Sequence, residues 1–198
     1  MRHFDAEEAE EPIALFRVWM AAAVETEPND PDAVALATAT AGGVPSVRMV
    51  LMKRLDERGL SFYTNCESRK GLELGENPVA AMCFHWKTQR RQVRVEGVVR
   101  ELPGEDADAY FRSRSHLSQL GALASAQSRP LASRAGLEAA ARELDEQYPG
   151  EVPRPEYWRG YVLRPERIEF WQQGDGRLHD RVVFERDGDG WRKTRLFP

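Results

Sequence analysis

The residues best able to do chemistry in this chain are cations, and they come in clusters. Arg177-Leu178-His179-Asp180-Arg181 follows the aromatic pair Phe170-Trp171 across Gln173-Gly174-Asp175-Gly176. Read as an extended strand, this stretch puts Arg177, His179 and Arg181 on one face, because strand side chains alternate. Two permanent cations beside a titratable imidazole repel each other, and an anion or a polar ring system over them removes the conflict. An isolated basic triplet is more simply a solvated strand face. Similar clusters elsewhere, in a chain of formal net charge -4, change that reading.

Arg48 and Lys53 bracket the apolar run Met49-Val50-Leu51-Met52. Arg69 and Lys70 follow Ser68, just after the strand-like Leu60–Asn65. If Ser68 caps a helix running toward Leu74, these two cations sit in its first turn and oppose the helix dipole. A bound phosphate reverses the sign, because backbone N–H groups, dipole and side chains then all favour the anion. A third cluster is Tyr110-Phe111-Arg112-Ser113-Arg114, with Ser118 beyond it. Tyr110, Arg114 and Ser118 step by four and share a face if the helix is continuous. Together the clusters point to two separate phosphate-bearing ligands.

These residues need a scaffold, and composition bounds it. A length of 198 residues, with 41% hydrophobic and 30% charged residues, fits one soluble domain with a sizeable core. That domain is expected over 12–198, after a mobile acidic tail at 1–11. The acidic balance, without a long basic stripe, argues against nucleic-acid binding. No apolar run reaches membrane-spanning length, and the N-terminus lacks a signal-peptide core, so a cytoplasmic protein is expected. Cys66 and Cys83 form no Cys-x-x-Cys pair and read as reduced structural thiols; no Cys/His spacing suggests a metal.

Periodicity supplies the elements. Pro12 opens a helix whose Ile13, Phe16, Met20 and Val24 recur at helical spacing as a core-facing stripe. Strands are expected from Ala33, from Val44 through Leu55, and at Leu60–Asn65, Pro78–Trp86 and Arg91–Leu102. Helices are expected at Glu105–Phe111, at Ser115–Ser125, and around Leu137, Ala140, Ala141 and Leu144. Tyr157–Leu163, Arg167–Gln172, Arg181–Arg186 and Trp191–Leu196 read as the closing strands, with Asp187-Gly188-Asp189-Gly190 a hairpin turn. Antiparallel strands without βαβ periodicity predict a mainly β, α+β protein built on a barrel. There is no Gly-x-Gly-x-x-Gly, so a Rossmann site is not expected.

The ordered stretches Arg48–Lys53, Phe62–Asn65, Ser68–Lys70, Arg91–Val93, Gln127-Ser128, Phe170-Trp171, Arg177–Arg181 and Arg195–Pro198 carry a resemblance. In that order, from about Pro31 to the end, the chain resembles the pyridoxine (pyridoxamine) 5′-phosphate oxidase family. The resemblance implies a split-barrel FMN-binding fold and a homodimer with FMN at the subunit interface. It also implies oxidation of pyridoxine or pyridoxamine 5′-phosphate to pyridoxal 5′-phosphate, with O2 reduced to H2O2. Carried over by residue, Arg48, Met49, Val50, Leu51, Met52 and Lys53 line the flavin, with the Met49–Met52 backbone along its edge. Tyr63 and Thr64 continue that wall, and Arg69 and Lys70 hold the FMN phosphate. Gln92, Gln127, Ser128, Trp171 and Arg181 complete the cofactor site, partly from the second subunit. Lys53, Tyr110, Arg114 and Ser118 take the substrate phosphate; Arg177 and His179 face the pyridine ring as the catalytic pair. His85 and His3 are read as structural or incidental, and His116 is left open.

Three other readings share the fold or its ligand: a phenazine-biosynthesis flavin oxidase, a flavin reductase using a nicotinamide cofactor, and a non-catalytic binder of FMN or pyridoxal phosphate. Lys53, Tyr110, Arg114 and Ser118 weigh against the first, because a tricycle without a phosphate does not use such a set. The intact Arg177/His179 pair weighs against the last.

Overall fold

The structure, a computed structural model, describes residues 5–198; His3 lies outside them. The described part of the segment read as a mobile tail is docked. Asp5–Glu7 make one 3-10 turn that buries Ala6 completely. Trp19 Nε1 donates to Asp5 at 3.0 Å, and Arg195 pairs with Glu7 at 2.6 Å. The acidity that reads as solvation is used instead to tie the N-terminus to the C-terminal strand.

Helix α1 (Pro12–Thr26) starts on its proline and buries Leu15, Phe16, Trp19 and Ala23. The buried stripe is therefore rotated from the expected one. Ile13 and Met20 lie at its margin and Val24 is 58% exposed, because Trp19, the largest apolar side chain of the helix, takes the centre.

The strands are β1 (Ala33–Ala39), β2 (Pro45–Leu51), β3 (Arg54–Asp56), β4 (Gly59–Asn65), β5 (Val79–Trp86), β6 (Arg91–Glu101), β7 (Trp158–Gln172), β8 (Asp180–Asp187) and β9 (Gly190–Arg195). All pairings are antiparallel, and the main path runs β2-β1-β5-β6-β7-β4-β3. The two ends of that path, β2 and β3, are joined only by Met52 and Lys53. Two residues span only about 7 Å, so the sheet must curl until its ends nearly meet. This is why the strand expected over Val44–Leu55 is broken. Met52 turns into the core, its N–H bonds Asp32, and the Lys53 N–H crosses to Ser61.

Strand β7 is the branch point. It pairs with β6 along its length, while its other edge serves β4 through Trp158–Leu163 and β8 through Arg167–Gln172. Two closing strands were expected here, and one 15-residue strand is found. Pro165 is tolerated within it because the register shifts at Glu96/Gly97, where Pro165 faces Gly97. A Cβ on Gly97 would lie 1.9 Å from the Arg164 carbonyl oxygen.

The main core lies between the concave face of the sheet and α1. A second cluster, Ala107, Phe111, Leu120, Val152 and Trp158, sits under α3 (Gly104–Ser113) and α4 (His116–Ala124). Helix α5 (Arg134–Gln147) lies outside α4 with Leu137, Ala140, Ala141 and Leu144 half-buried. His116 Nε2 meets Asp145 at 2.8 Å, joining α4 to α5, and His85 is exposed on β5. No described helix is long and apolar enough to cross a membrane.

Candidate active site

A cavity of about 1030 Å3 opens between the edge strand β2, the end of β4, the start of α2 (Arg69–Glu76), the α3–α4 junction and the loop at 125–128. Pockets for single small ligands run to roughly 1,000 Å3, so the space is at the upper end for one ligand. Of the expected flavin residues, Arg48 through Leu51, Lys53, Tyr63, Thr64, Arg69, Lys70, Gln127 and Ser128 line it. The expected substrate-phosphate residues Lys53, Tyr110, Arg114 and Ser118 line it too.

The cations of this cavity fall into two kinds. Arg48, Arg69 and Lys53 have carboxylate partners: Glu73 for both arginines, and Asp32 at 2.7 Å for the lysine. Lys70 and Arg114 have none among the described residues. Ser68 caps α2 as expected, accepting from Gly71 N–H, and Lys70 folds back over that cap. Its Nζ donates to Gln127 Oε1 at 2.7 Å and to the Thr64 and Ser68 hydroxyls at 3.1 Å. All three acceptors are neutral. Burial, with Arg48 nearby, pulls the Lys70 ammonium down to about 8. Arg114 is half-buried, its Nη1 has no hydrogen-bond partner, and burial lowers its pKa. A buried cation without a counter-charge is costly by itself, and a bound dianion supplies what each one lacks.

The helix holding Tyr110, Arg114 and Ser118 is not continuous. Arg114 is extended (φ -74°, ψ 154°), and Ser115 caps α4 by accepting from Ser118 N–H. The cap competes with helix continuation and wins. The three side chains nonetheless share the cavity, because Gln119 clasps the break. Its buried Nε2 donates to the carbonyls of Phe111, Arg112 and Arg114 at 3.0–3.3 Å. Gln119→Ala should leave these acceptors short of a donor and cost about 2 kcal/mol of stability. Urea unfolding checks this, and a loss under about 0.5 kcal/mol, the usual size of a surface change, would contradict it.

Tyr110 also belongs to an aromatic stack. Its ring lies 4.2 Å from that of Tyr63, and Tyr63 lies 5.4 Å from Trp158 at only 10°. The Arg114 guanidinium covers Trp158 at 5.1 Å. Gly160 permits this packing, since a Cβ there would come within 2.8 Å of the Tyr63 ring.

The other expected residues lie elsewhere. Met52 faces the core. Arg177 and His179 are not on a strand: Asp175–Arg177 form a 3-10 turn with positive φ at Gly176 and Arg177, and β8 begins at Asp180. The shared face expected for Arg177, His179 and Arg181 is thus replaced by a tight turn, closed by Leu178 N–H to Asp175 and His179 N–H to Arg177. Gly174 allows that closure, because a Cβ there would lie 1.8 Å from the Leu178 carbonyl oxygen. His179 packs on Trp171 at 4.8 Å, and its Nδ1 accepts from Gly174 N–H at 3.3 Å, which puts the neutral ring's proton on Nε2. Gln92, Trp171 and Arg181 are aligned across β6, β7 and β8. Arg181 is held by Glu169 at 2.9 Å and by the Phe197 carbonyl at 2.9 Å. Arg94 and Arg181 overcome the burial that would raise the Glu169 carboxyl and keep its pKa low.

Register shows how the two groups are related. Met49, Ala35, Cys83, Arg94, Glu169 and Val183 are successive partners across the sheet and share its outer face. Gln92, Trp171 and Arg181 lie two residues along on that same face. So do Val47 and Leu51, which with Met49 form an exposed apolar stripe on the edge strand. Glu73, Gln119, Trp158 and Glu169 were not singled out in the sequence. Glu169 and Trp158 act through partners distant in sequence; Glu73 has the local signal of Arg69 one turn before it but none of Arg48, and the carbonyls that Gln119 clasps are identified only by the helix break.

A curled antiparallel sheet split at one strand, with a polar cavity on its edge holding two cations that have no carboxylate partner among the described residues, fits the class of split-barrel flavin-binding proteins. The Pyridoxamine 5′-phosphate oxidase family model matches residues 20–148. The Pyridoxine 5′-phosphate oxidase C-terminal dimerisation region matches residues 158–198. The chain is 56% identical to the pyridoxine/pyridoxamine 5′-phosphate oxidase of Gluconobacter oxydans over 95% of this chain and 94% of the relative. It is 57% identical to that of Anaeromyxobacter dehalogenans, covering 96% of each. The chain belongs to the pyridoxine/pyridoxamine 5′-phosphate oxidase family and is an oxidoreductase of that family. Among solved structures it is similar to PhzG from Burkholderia lata 383 in complex with tetrahydrophenazine-1-carboxylic acid (TM-score 0.93, 35% identity, 100% of this chain and 98% of that one). A pyridoxamine 5′-phosphate oxidase-related, FMN binding protein from Nostoc punctiforme shares the fold at TM-score 0.76 and 18% identity, over 92% of this chain and 97% of that one.

Proposed function

We propose that this chain binds FMN and oxidises pyridoxine 5′-phosphate and pyridoxamine 5′-phosphate to pyridoxal 5′-phosphate, with O2 reduced to H2O2. The observation that carries the reading is the pair Lys70 and Arg114. They are two cations without carboxylate partners, set in different walls of one cavity and surrounded by neutral hydrogen-bonding groups. Lys70, with the α2 N-terminus and Arg69, fits the cofactor phosphate. Arg114, with Tyr110, Ser118 and Lys53, fits the substrate phosphate; the Lys53–Asp32 pair is exposed enough to open at little cost.

FMN held by these residues would supply a hydride acceptor for the substrate C4′ and a route for the electrons to oxygen, and the imine left by the amine substrate would take up water and release ammonia. The chain's own residues bind and orient. His179 offers Nε2–H as a donor while its Nδ1 is occupied, so it positions a polar substituent of the pyridine ring and does not serve as the base in that tautomer. Arg177 is exposed on its turn and free to cover the ring. Two copies packed through the outer sheet face bring Gln92, Trp171, Arg177, His179 and Arg181 of one to the cavity of the other. The match to a dimerisation region and the apolar stripe on β2 support that arrangement.

The likeness to PhzG favours a second reading, oxidation of a reduced phenazine carboxylic acid. Arg114 together with Lys53, Tyr110 and Ser118 weighs toward the phosphorylated vitamer, since two cations and two hydroxyls match a phosphate dianion better than the single carboxylate of such a tricycle. The deciding experiment is anaerobic reduction of the FMN-loaded chain by pyridoxine 5′-phosphate, by unphosphorylated pyridoxine and by a dihydrophenazine carboxylate. Bleaching of the flavin band by the phosphorylated vitamer alone, reversed by air with release of H2O2, is expected. Bleaching only by the phenazine would move the assignment.

A further inference from the structure

The reading above uses Arg69 but neither Arg48, which lines the same cavity, nor the acid that holds both arginines. Glu73 sits on α2 one turn after Arg69 and is 4% exposed. Its Oε1 accepts from Arg69 Nε at 2.9 Å. Its Oε2 accepts from the Ser46 hydroxyl at 2.5 Å and from the Thr38 hydroxyl. The same two hydroxyls face Arg48: Nη1 donates to Thr38 at 2.6 Å and Nη2 donates to Ser46. A hydroxyl has one proton, and here it goes to the carboxylate, so the lone pairs of Thr38 and Ser46 are turned toward the guanidinium. Arg48 Nη1 is further fixed by the Leu36 carbonyl at 3.1 Å. One acceptor-only group therefore sets the direction of every bond in the cluster.

We propose that Glu73 is a positioning residue for the cofactor phosphate: it holds Arg69 directly and Arg48 through the Thr38 and Ser46 hydroxyls, with a longer contact of its own to Arg48 Nη2 at 3.4 Å, and so fixes both guanidinium groups at the cavity wall. The inference rests on the FMN reading above. Burial pushes the Glu73 carboxyl up, but the hydrogen bonds from Ser46, Thr38 and Arg69 overcome it and hold it at about 2. The group is thus an anion throughout the working range. Arg69 commits only Nε to it, and the rest of that 59%-exposed side chain remains available to a ligand. Two cations on one carboxylate leave the cluster net positive, as a phosphate site requires.

Glu73→Gln tests the idea, because an amide accepts on one side only. If its oxygen keeps Thr38 and Ser46, its NH2 must face the Arg69 Nε–H, and that contact is lost. Thr38→Val removes one of the two hydroxyl relays to Arg48, leaving Ser46 and every residue of α2 unaltered, and Thr38→Ser restores the hydroxyl. The measurement is binding of FMN and of riboflavin to each purified full-length variant, by quenching of flavin fluorescence, with a melting curve for each. Freeing one ordered arginine is expected to weaken FMN about tenfold. Riboflavin, which has no phosphate, should bind as it does to the unaltered chain, and Thr38→Ser should restore FMN. Should Glu73→Gln not fold, the FMN-to-riboflavin ratio of Thr38→Val decides the same question. Equal loss of both flavins would make Glu73 a structural group only and overturn the proposal, as would unchanged or tighter FMN binding. If the unaltered chain binds neither flavin, the FMN reading itself fails; if it binds both and only the variants are silent, that reading stands and the positioning role falls.

Discussion

Lys70→Met should weaken FMN binding about a hundredfold while making the ligand-free chain more stable. The two signs follow from one fact: the ammonium is buried with only neutral acceptors. A charge-assisted bond to phosphate is worth roughly 2–3 kcal/mol, and each 1.4 kcal/mol is about a factor of ten. Without the phosphate the same charge is a desolvation cost, so replacing it by a similar apolar chain should raise the apo melting temperature by about 2–4 °C. The pH dependence has a definite sign. The folded value of about 8 lies below the ordinary 10.5, so above pH 8 the unfolded chain holds a proton that the folded chain has lost. Apo stability from this group therefore rises as pH climbs from 8 toward 10.5. FMN binding should move the other way, flat between about pH 7 and 8 and weaker above, since the phosphate (second pKa about 6) needs the charged amine. Paired titrations of the unaltered chain and Lys70→Met, over pH 7 to 10, check both trends. An apo protein that loses stability in Lys70→Met would mean that the charge is already compensated without a phosphate.

The second large effect is expected from Val47→Asp. Val47 is 68% exposed, Met49 62% and Leu51 39%, all on the outer face of the edge strand β2. An open edge carrying an apolar stripe invites pairing, and a charge placed in it is the usual way to prevent that. In a two-fold interface the substitution appears twice, so two carboxylates must be desolvated near one another. The variant should sediment as a monomer with an unchanged far-ultraviolet spectrum, because Val47 supports no core packing within the chain. FMN affinity should fall more than a hundredfold, since in the proposed dimer each cavity would lose the second copy's Gln92, Trp171 and Arg181. A monomer that keeps full FMN affinity would show that one chain completes the site, and a persistent dimer would place the interface elsewhere.

Much of this was legible in the residues alone. Ser68 before Arg69-Lys70 specifies a cap and two cations in a first turn, because helix capping is decided within four residues. Pro12, the Asp187–Gly190 turn and the alternation in β1, β5 and β6 are equally local, and an ordered set of short motifs sufficed to place the chain in its family. Register effects were not legible: the break at Met52-Lys53 follows from the curling of the whole sheet, and the continuity of β7 through Pro165 depends on a glycine opposite it in β6. Nor could the sequence place Arg177 and His179 in a turn, since it is Gly174, with its close approach to Leu178, that closes it. Above all, the sequence counted the cations but could not rank them. Arg48, Arg69 and Arg181 are neutralised by Glu73 and Glu169, and Lys70 and Arg114 are left without a counter-charge among the described residues. Arg69 meets its acid one turn along α2, but Arg48 and Arg181 are paired by residues 25 and 12 positions away, and a charge is paired or unpaired only in three dimensions, where burial sets the strength of its field.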